Sequence, residues 1–498
     1  MSYEYFIHTL IPHLVVGTYT SLLAVLMLYG LHRYWILLLY WRYRKKGDAP
    51  PTPAFTSSLI GTPPVTIQLP LYNEMYVAER LIDSICSLDY PREQLEIQVL
   101  DDSTDQTIEI VARKVEEKKN QGFDIKHVRR GHRNGYKAGA LAFGTKLARG
   151  EYIAIFDADF MPPSGFLHAT LPHFTDPQVG MVQTRWGHVN PDYSLLTRLQ
   201  ALFLDGHFLL EHTARYKSGA FFNFNGTAGI WRRDAIESSG GWNPRTLTED
   251  LDLSYRAQLA GWRFVYDPDF VCPAELPVDI HAFHSQQRRW AKGALQVARF
   301  ILGDLWRAKL PLHTKLEATA HLTANIGYLL TFFVALLLLP SLMLRSQVHW
   351  AGIQFFEIAS FVVTALSISF FYIFSQKELY PNWKWKIKDV PALLSFGIGM
   401  CVSNAIAVWE GLVGGNESEF IRTPKYGISN GSDSWLKKNY ARGKDNLWFI
   451  QIFFSLYSLL TFFIAVEKNY WGALPFIALF IFGFSYVSSL GFIHRWGR

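Results

Sequence analysis

The chain has 498 residues, 49% hydrophobic and 15% aromatic, with a formal net charge of +6. So small a surplus over that length argues against a polybasic nucleic-acid binder, and no nucleic-acid partner is expected. The three cysteines, Cys86, Cys272 and Cys401, are odd in number and far apart, which excludes a disulfide framework and suits a cytosol-facing protein.

Residues 13–40 form a long apolar run followed by "WRYRKK". The run is too long for a secretory h-region and lacks a small-residue cleavage site, so it reads as a retained transmembrane helix. Residues 62–275 then alternate strands and helices. "VTIQLP" (65–70) and "EIQVLDDS" (96–103) are strands, each followed by a helix. "FDIKHVRR" is a third strand, "YKAGALAFGTKLARG" has helical spacing, and "EYIAIFDADF" is a buried strand ending in acids. Such alternation predicts an α/β fold with a doubly wound, mostly parallel sheet, whose ligands bind beyond the carboxyl ends of the strands. Residues 276–310, "DIHAFHSQQRRWAKGALQVARFILGDLW" at their centre, read as an amphipathic interface helix. A transmembrane hairpin (317–376) follows, then a weaker apolar segment (388–414), a polar loop (415–446) and a second hairpin (447–493).

Lys and Arg orient these segments. Arg42, Arg44, Lys45 and Lys46 place the end of the first helix, and hence the α/β domain, in the cytosol. Both flanks of 388–414 are equally basic, so that segment is expected to lie in the interface or re-enter rather than span. The expectation is a multi-pass membrane protein of about five spans. The sequons at Asn225, Asn416 and Asn430 are then cytosolic and inert.

Neither a G-x-G-x-x-G nor a G-x-x-x-x-G-K-[ST] loop follows a strand, so a glycine-cradled phosphate is not expected. Carboxylates and a divalent cation are the alternative. Asp157 and Asp159 end an apolar strand at i, i+2, where both can reach one hard cation bridging to a diphosphate. Asp101 and Asp102 end the neighbouring strand, where Ser103 or Thr104 could instead cap the next helix. Lys137 is a candidate phosphate-facing cation. Capping after Thr248 is the bland reading of "TED". His281 and His284 have no Cys or third His near them in sequence, and no metal is expected there.

"PLYNE", "VLDDSTD", "NGYKAGAL", "AIFDADF", "FFNFNGTAGIWR", "TEDLDL" and "QQRRW" occur in this order. Together they resemble the membrane-embedded, processive family 2 glycosyltransferases, above all the cellulose synthase-like A mannan and glucomannan synthases, and more distantly the cellulose and hyaluronan synthases. The resemblance implies a GT-A-like domain and an inverting enzyme. It implies a nucleotide site of Tyr72, Glu74, Asp102, Lys137 and Asp157, with Mg²⁺ or Mn²⁺ on Asp157 and Asp159. It implies Asp250 as general base, and pyrophosphate and acceptor contacts from Trp186, Gly226, Glu249, Gln286, Arg289 and Trp290. "FIRTPKYG" (420–427) is similar to the family's gating loop. Phe420, Thr423 and Lys425 match the pattern, whereas Arg422 replaces a valine and adds a charge contact or meets anionic lipid. The loop is polar and expected to contribute little to a core.

The implied function is transfer of a hexose from GDP-mannose or UDP-glucose to a growing β-linked polysaccharide, with coupled export as an extension. The Q-x-x-R-W set and the gating loop favour polymer. The alternative is a single sugar placed on a membrane lipid. Expected partners are the donor, a glycan or lipid acceptor and membrane lipids.

Overall fold

Strands rich in Val, Ile and Leu must be covered on both faces, and here they are. The computed structural model describes residues 6–44, 62–414, 421–429, 433–435, 438, 440 and 445–496. Seven strands form one sheet: β1 (Val65–Leu71), β2 (Leu95–Asp101), β3 (Asp124–Val128), β4 (Tyr152–Ile155), β5 (Val179–His188), β6 (Gly229–Arg232) and β7 (Arg263–Ala274), in the order β3-β2-β1-β4-β6-β5-β7. β2 and β4 are buried throughout and β1 at all positions but one, as strands with helices on both faces should be.

The β1–β2, β1–β4, β2–β3 and β5–β7 pairs are parallel. β6 runs antiparallel to both β4 and β5. It is four residues long, too short for periodicity to announce it. The chain leaves β1 for β2 and β3 on one side, then returns to β4 on the other. The carboxyl ends of β1 and β4 therefore flank a topological switch point, the crevice where open α/β sheets take ligands.

Helix Ile280–Arg307 lies between this domain and the apolar helices. Its Ala291, Leu295, Ala298 and Ile301 pack in one buried cluster with Leu251 and Tyr255 of the domain and with Ala407 and Val408. Among the described residues, five helices are long and apolar enough to cross a membrane: His8–Tyr43, Ile326–Gln347, Ile353–Leu379, Leu447–Glu467 and Trp471–Trp496. Leu28, Phe355, Leu456, Phe463 and Phe482 on them are mostly exposed, an outer surface suited to lipid. A sixth element, Trp383–Gly399 with Cys401–Val413, is bent by 48° at its break. Beside the bend the backbones approach closely: a Cβ on Gly399 would lie 2.3 Å from the Gly483 carbonyl oxygen. Small residues permit such helix contacts without side-chain interference.

A buried ion pair ties the two parts together: Glu317 accepts from Arg215 Nε at 3.0 Å and lies 2.9 Å from His32 Nε2 of the first helix. A more exposed pair, Arg44 with Glu378 at 2.7 Å, joins the first helix to helix Ile353–Leu379.

Candidate active site

The loops after β1 and β4 meet in one cavity. Tyr72 and Glu74 follow β1, and Asp157, Asp159 and Phe160 follow β4. The first turn of helix Glu249–Leu259 and the middle of helix Ile280–Arg307 close the far side. Asp102, Lys137, Trp186, Gly226, Glu249, Asp250, Gln286, Arg289, Trp290, Arg422, Thr423 and Lys425 also line it. Every site residue expected from the sequence therefore lines this cavity except Phe420, which lies outside the described residues.

The two strand-end acids at 101–102 have different surroundings. Asp101 is buried, 2.7 Å from His127 Nε2, and accepts from the Ser103 N–H. Asp102 holds a bidentate Arg130 at 2.8 and 2.5 Å. Neither Ser103 nor Thr104 caps the next helix, which starts at Thr107. The Ser103 hydroxyl accepts from the Asn73 N–H at 2.8 Å instead, linking the loops after β1 and β2.

Lysines answer both carboxylates of the D-x-D pair. Lys137 Nζ lies 2.5 Å from Asp157 and donates to the Gly226 carbonyl at 2.9 Å. Lys425 Nζ lies 2.6 Å from Asp159. Burial raises Asp157, against the pull of Lys137. The Thr227 hydroxyl accepts from the Asp157 N–H at 2.9 Å and fixes the turn.

Asp250 accepts from its neighbour's Leu251 N–H at 2.8 Å. Thr248 precedes this helix without a side-chain cap, and Glu249 and Asp250 open its first turn, so the helix-start reading of "TED" holds beside the site reading. Burial, with the negative Glu249 beside it, pushes Asp250 up to about 7, and Glu249 is raised by burial as well. Gly226 has φ +81°, and a Cβ there would stand 2.9 Å from Asp250 Oδ2. Only glycine serves both demands.

The described part of the loop at 421–429 lies across the cavity. Arg289 donates to the Ile421 carbonyl at 2.5 Å and to the Thr423 hydroxyl at 3.2 Å. Arg422 does not face lipid. Its guanidinium is 3.3 Å from Glu74 and stacks 4.1 Å from the Tyr440 ring centroid. Burial nevertheless pushes Glu74 up to about 8. The expectation that the loop adds little to a core is corrected for its second half: Tyr426 and Ile428 are buried with Val278 and Trp435.

Sequence reading passed over three residues here. Arg133 lies 3.4 Å over the Tyr72 ring, Thr227 braces Asp157, and Glu275 anchors the loop. Glu275 Oε1 accepts from the Tyr426 N–H at 2.8 Å and its carbonyl from Lys425 at 2.5 Å. Arg133 stood beside one quoted motif and Thr227 within another, while Glu275 sits in "PAELP", which carries no motif.

Residues 63–293 match the family described as "Glycosyltransferase like family 2". The chain is 39% identical over 318 residues to glucomannan 4-beta-mannosyltransferase 7 of Arabidopsis thaliana, an alignment covering 61% of this chain and 57% of that protein. The chain thus spans little more than half the length of that relative. It is 34% identical over 449 residues to glucomannan 4-beta-mannosyltransferase 1 of Oryza sativa subsp. japonica, covering 86% of this chain and 83% of that protein. A mannosyltransferase from Pyrobaculum calidifontis, solved with GDP-Man and Mn²⁺, shares the fold at TM-score 0.53 and 22% identity, over 78% of this chain and 99% of that one. With the cavity built from these motifs at the β1–β4 switch point, the chain belongs to glycosyltransferase family 2, among the cellulose synthase-like A relatives.

Proposed function

We propose that this protein transfers a hexose from a nucleotide sugar, with inversion, onto a growing β-linked polysaccharide. The observation that carries it is the convergence of Asp250, the D-x-D acids and Arg289 on one cavity. An acceptor hydroxyl is too weak an acid to attack unaided and needs a carboxylate within hydrogen-bond reach. Asp250 takes the hydroxyl proton as the acceptor oxygen bonds to C1 of the donor. The bond from C1 to phosphate breaks on the opposite face, and the nucleoside diphosphate leaves with the electron pair. Arg289 and Lys425 balance the charge that grows on it. Trp290 offers a flat apolar face to the acceptor ring.

Asp157 and Asp159 suit a hard divalent cation, since both are carboxylates and each already balances an ammonium group, at 2.5 and 2.6 Å. They would hold Mg²⁺ or Mn²⁺, which supplies charge neutralisation to the diphosphate. The relatives' printed activity and the GDP-Man bound in the archaeal fold neighbour favour GDP-mannose, with UDP-glucose second. Tyr72, Glu74 and Asp102 face the nucleoside. The α/β domain is cytosolic, and the bent 383–413 segment returns to that side.

Purified protein given each donor separately, with products sized after lipid extraction, tests the reading. A polymer that resists extraction is expected. A singly glycosylated, organic-soluble lipid would overturn it.

A further inference from the structure

At the N-terminal end of helix Ile280–Arg307, His281 and His284 stand one turn apart on the same face. They are 4% and 2% exposed. Asp445, more than 160 positions away in sequence, comes between them. Its Oδ2 lies 3.2 Å from His281 Nδ1 and 3.1 Å from His284 Nδ1. The sequence offered no third ligand near these histidines, and the fold supplies one. We propose that His281, His284 and Asp445 form a transition-metal site of the zinc class, distinct from the D-x-D pair.

Three observations support it. First, the three ligand atoms lie within 4.8 Å of one another, and the two separations from Asp445, 3.1 and 3.2 Å, are a few tenths of an ångström short of the roughly 3.3–3.5 Å between two ligands ~2.0–2.1 Å from a tetrahedral metal. Second, one carboxylate oxygen faces both ring nitrogens but makes a hydrogen bond to only one of them. His284 Nδ1 bonds Asp445 Oδ2 at 3.1 Å, whereas His281 Nδ1, 3.2 Å from the same oxygen, is not aligned to make one. A buried imidazole nitrogen left without a partner beside a carboxylate needs a reason. Third, the Asp445 side chain is 29% exposed, which gives an ion a path in. Two imidazoles and one carboxylate are a donor set that zinc accepts with water in the fourth position.

The site joins two parts of the molecule. Asp445 ends the segment that begins with the 421–429 loop and immediately precedes helix Leu447–Glu467. His284 is two residues before Gln286. A metal here fixes the far end of the loop segment to the helix that carries Gln286, Arg289 and Trp290. It holds these elements in register and takes no part in sugar transfer.

The full chain, purified in detergent, stripped with a chelator and reloaded with Zn²⁺ alone, is assayed for bound metal after desalting. About one Zn²⁺ per chain is expected, and the Asp157→Asn, Asp159→Asn double variant should keep it. His284→Gln and Asp445→Asn should each weaken retention by at least about tenfold. Co²⁺ in place of Zn²⁺ should give the visible absorption of a four- or five-coordinate ion in the unaltered protein, and Asp445→Asn should remove it. The unaltered chain decides the matter even if a variant fails to fold. No retained Zn²⁺ and no such Co²⁺ spectrum would overturn the site. So would full retention in properly folded His284→Gln, or loss of the metal in the D-x-D double variant.

Discussion

Asp250 is the base in the proposed reaction, and its surroundings make two predictions. Its carboxyl is pushed up to about 7 by burial and by Glu249. If it is the base, kcat/KM should rise with pH along an acid limb centred near 7, where the carboxyl loses its proton. Asp250→Asn should remove that limb and lower turnover at least about a hundredfold, while donor binding measured by calorimetry is kept. Activity within a few-fold of the unaltered protein would rule Asp250 out. The second prediction concerns stability. A folded-state pKa above the unfolded carboxylate value means burial of the charge opposes folding. That cost is absent below the unfolded pKa and fully present once the pH rises through about 7. Asp250→Asn should therefore raise unfolding stability at pH 8 by at least about 1 kcal/mol, since one pKa unit is ~1.36 kcal/mol. At pH 4 the gain should vanish. Equal gains at both pH values would place its origin elsewhere. Gly226 serves the same carboxylate from below. Gly226→Ala brings a Cβ to 2.9 Å from Asp250 Oδ2 at φ +81°, and should cost turnover more than it costs folding.

Among the elements, the 421–429 loop is the one whose role the variants can separate. Lys425 should contribute one charge-assisted hydrogen bond to the leaving diphosphate, worth roughly 1.5–3 kcal/mol. Lys425→Ala should then slow turnover about tenfold to a hundredfold, because ~1.4 kcal/mol is a factor of ten. Arg422→Val acts differently, since it removes the guanidinium 3.3 Å from a buried Glu74. The donor KM should rise, and Glu74→Gln should recover part of the loss. A double-mutant cycle checks this: additive effects, with coupling below about 0.5 kcal/mol, would mean the two side chains act independently. How far these elements were legible in the sequence depends on their length and on sequence separation. The strands of 65–71, 95–101 and 152–155 carry enough Val, Ile and Leu to declare themselves, and the acids that close the last two, Asp101 and Asp102 and then Asp157 and Asp159, followed from that. Gly229–Arg232 is too short for a period. Glu275 as the anchor of Lys425 and Tyr426, and Asp445 between His281 and His284, rest on contacts across more than 140 residues. No local pattern encodes such meetings. Arg422 was readable as a charge, but its partner Glu74 was not.

For the whole molecule, the apolar helices and the proposed cytosolic placement of the site must be compatible. With both flanks of the bent 383–413 element basic, the proposed topology puts the 421–429 loop on the same side as the α/β domain. Ser429 is exposed. A cysteine there, in a background with the native cysteines replaced, should react with an impermeant maleimide only after cells are opened. Labelling of intact cells would make the bent element a full span and separate the loop from the site. The central claim is inversion at a single cytosolic site that builds a polymer, and one measurement meets it directly. Purified protein is supplied with α-linked GDP-mannose and a short mannan acceptor, and the product's anomeric configuration is read by NMR after chromatographic sizing. The account predicts β-linked chains longer than the acceptor by many residues, absent with Asp250→Asn. An α-linkage, or products extended by one sugar only, would contradict it.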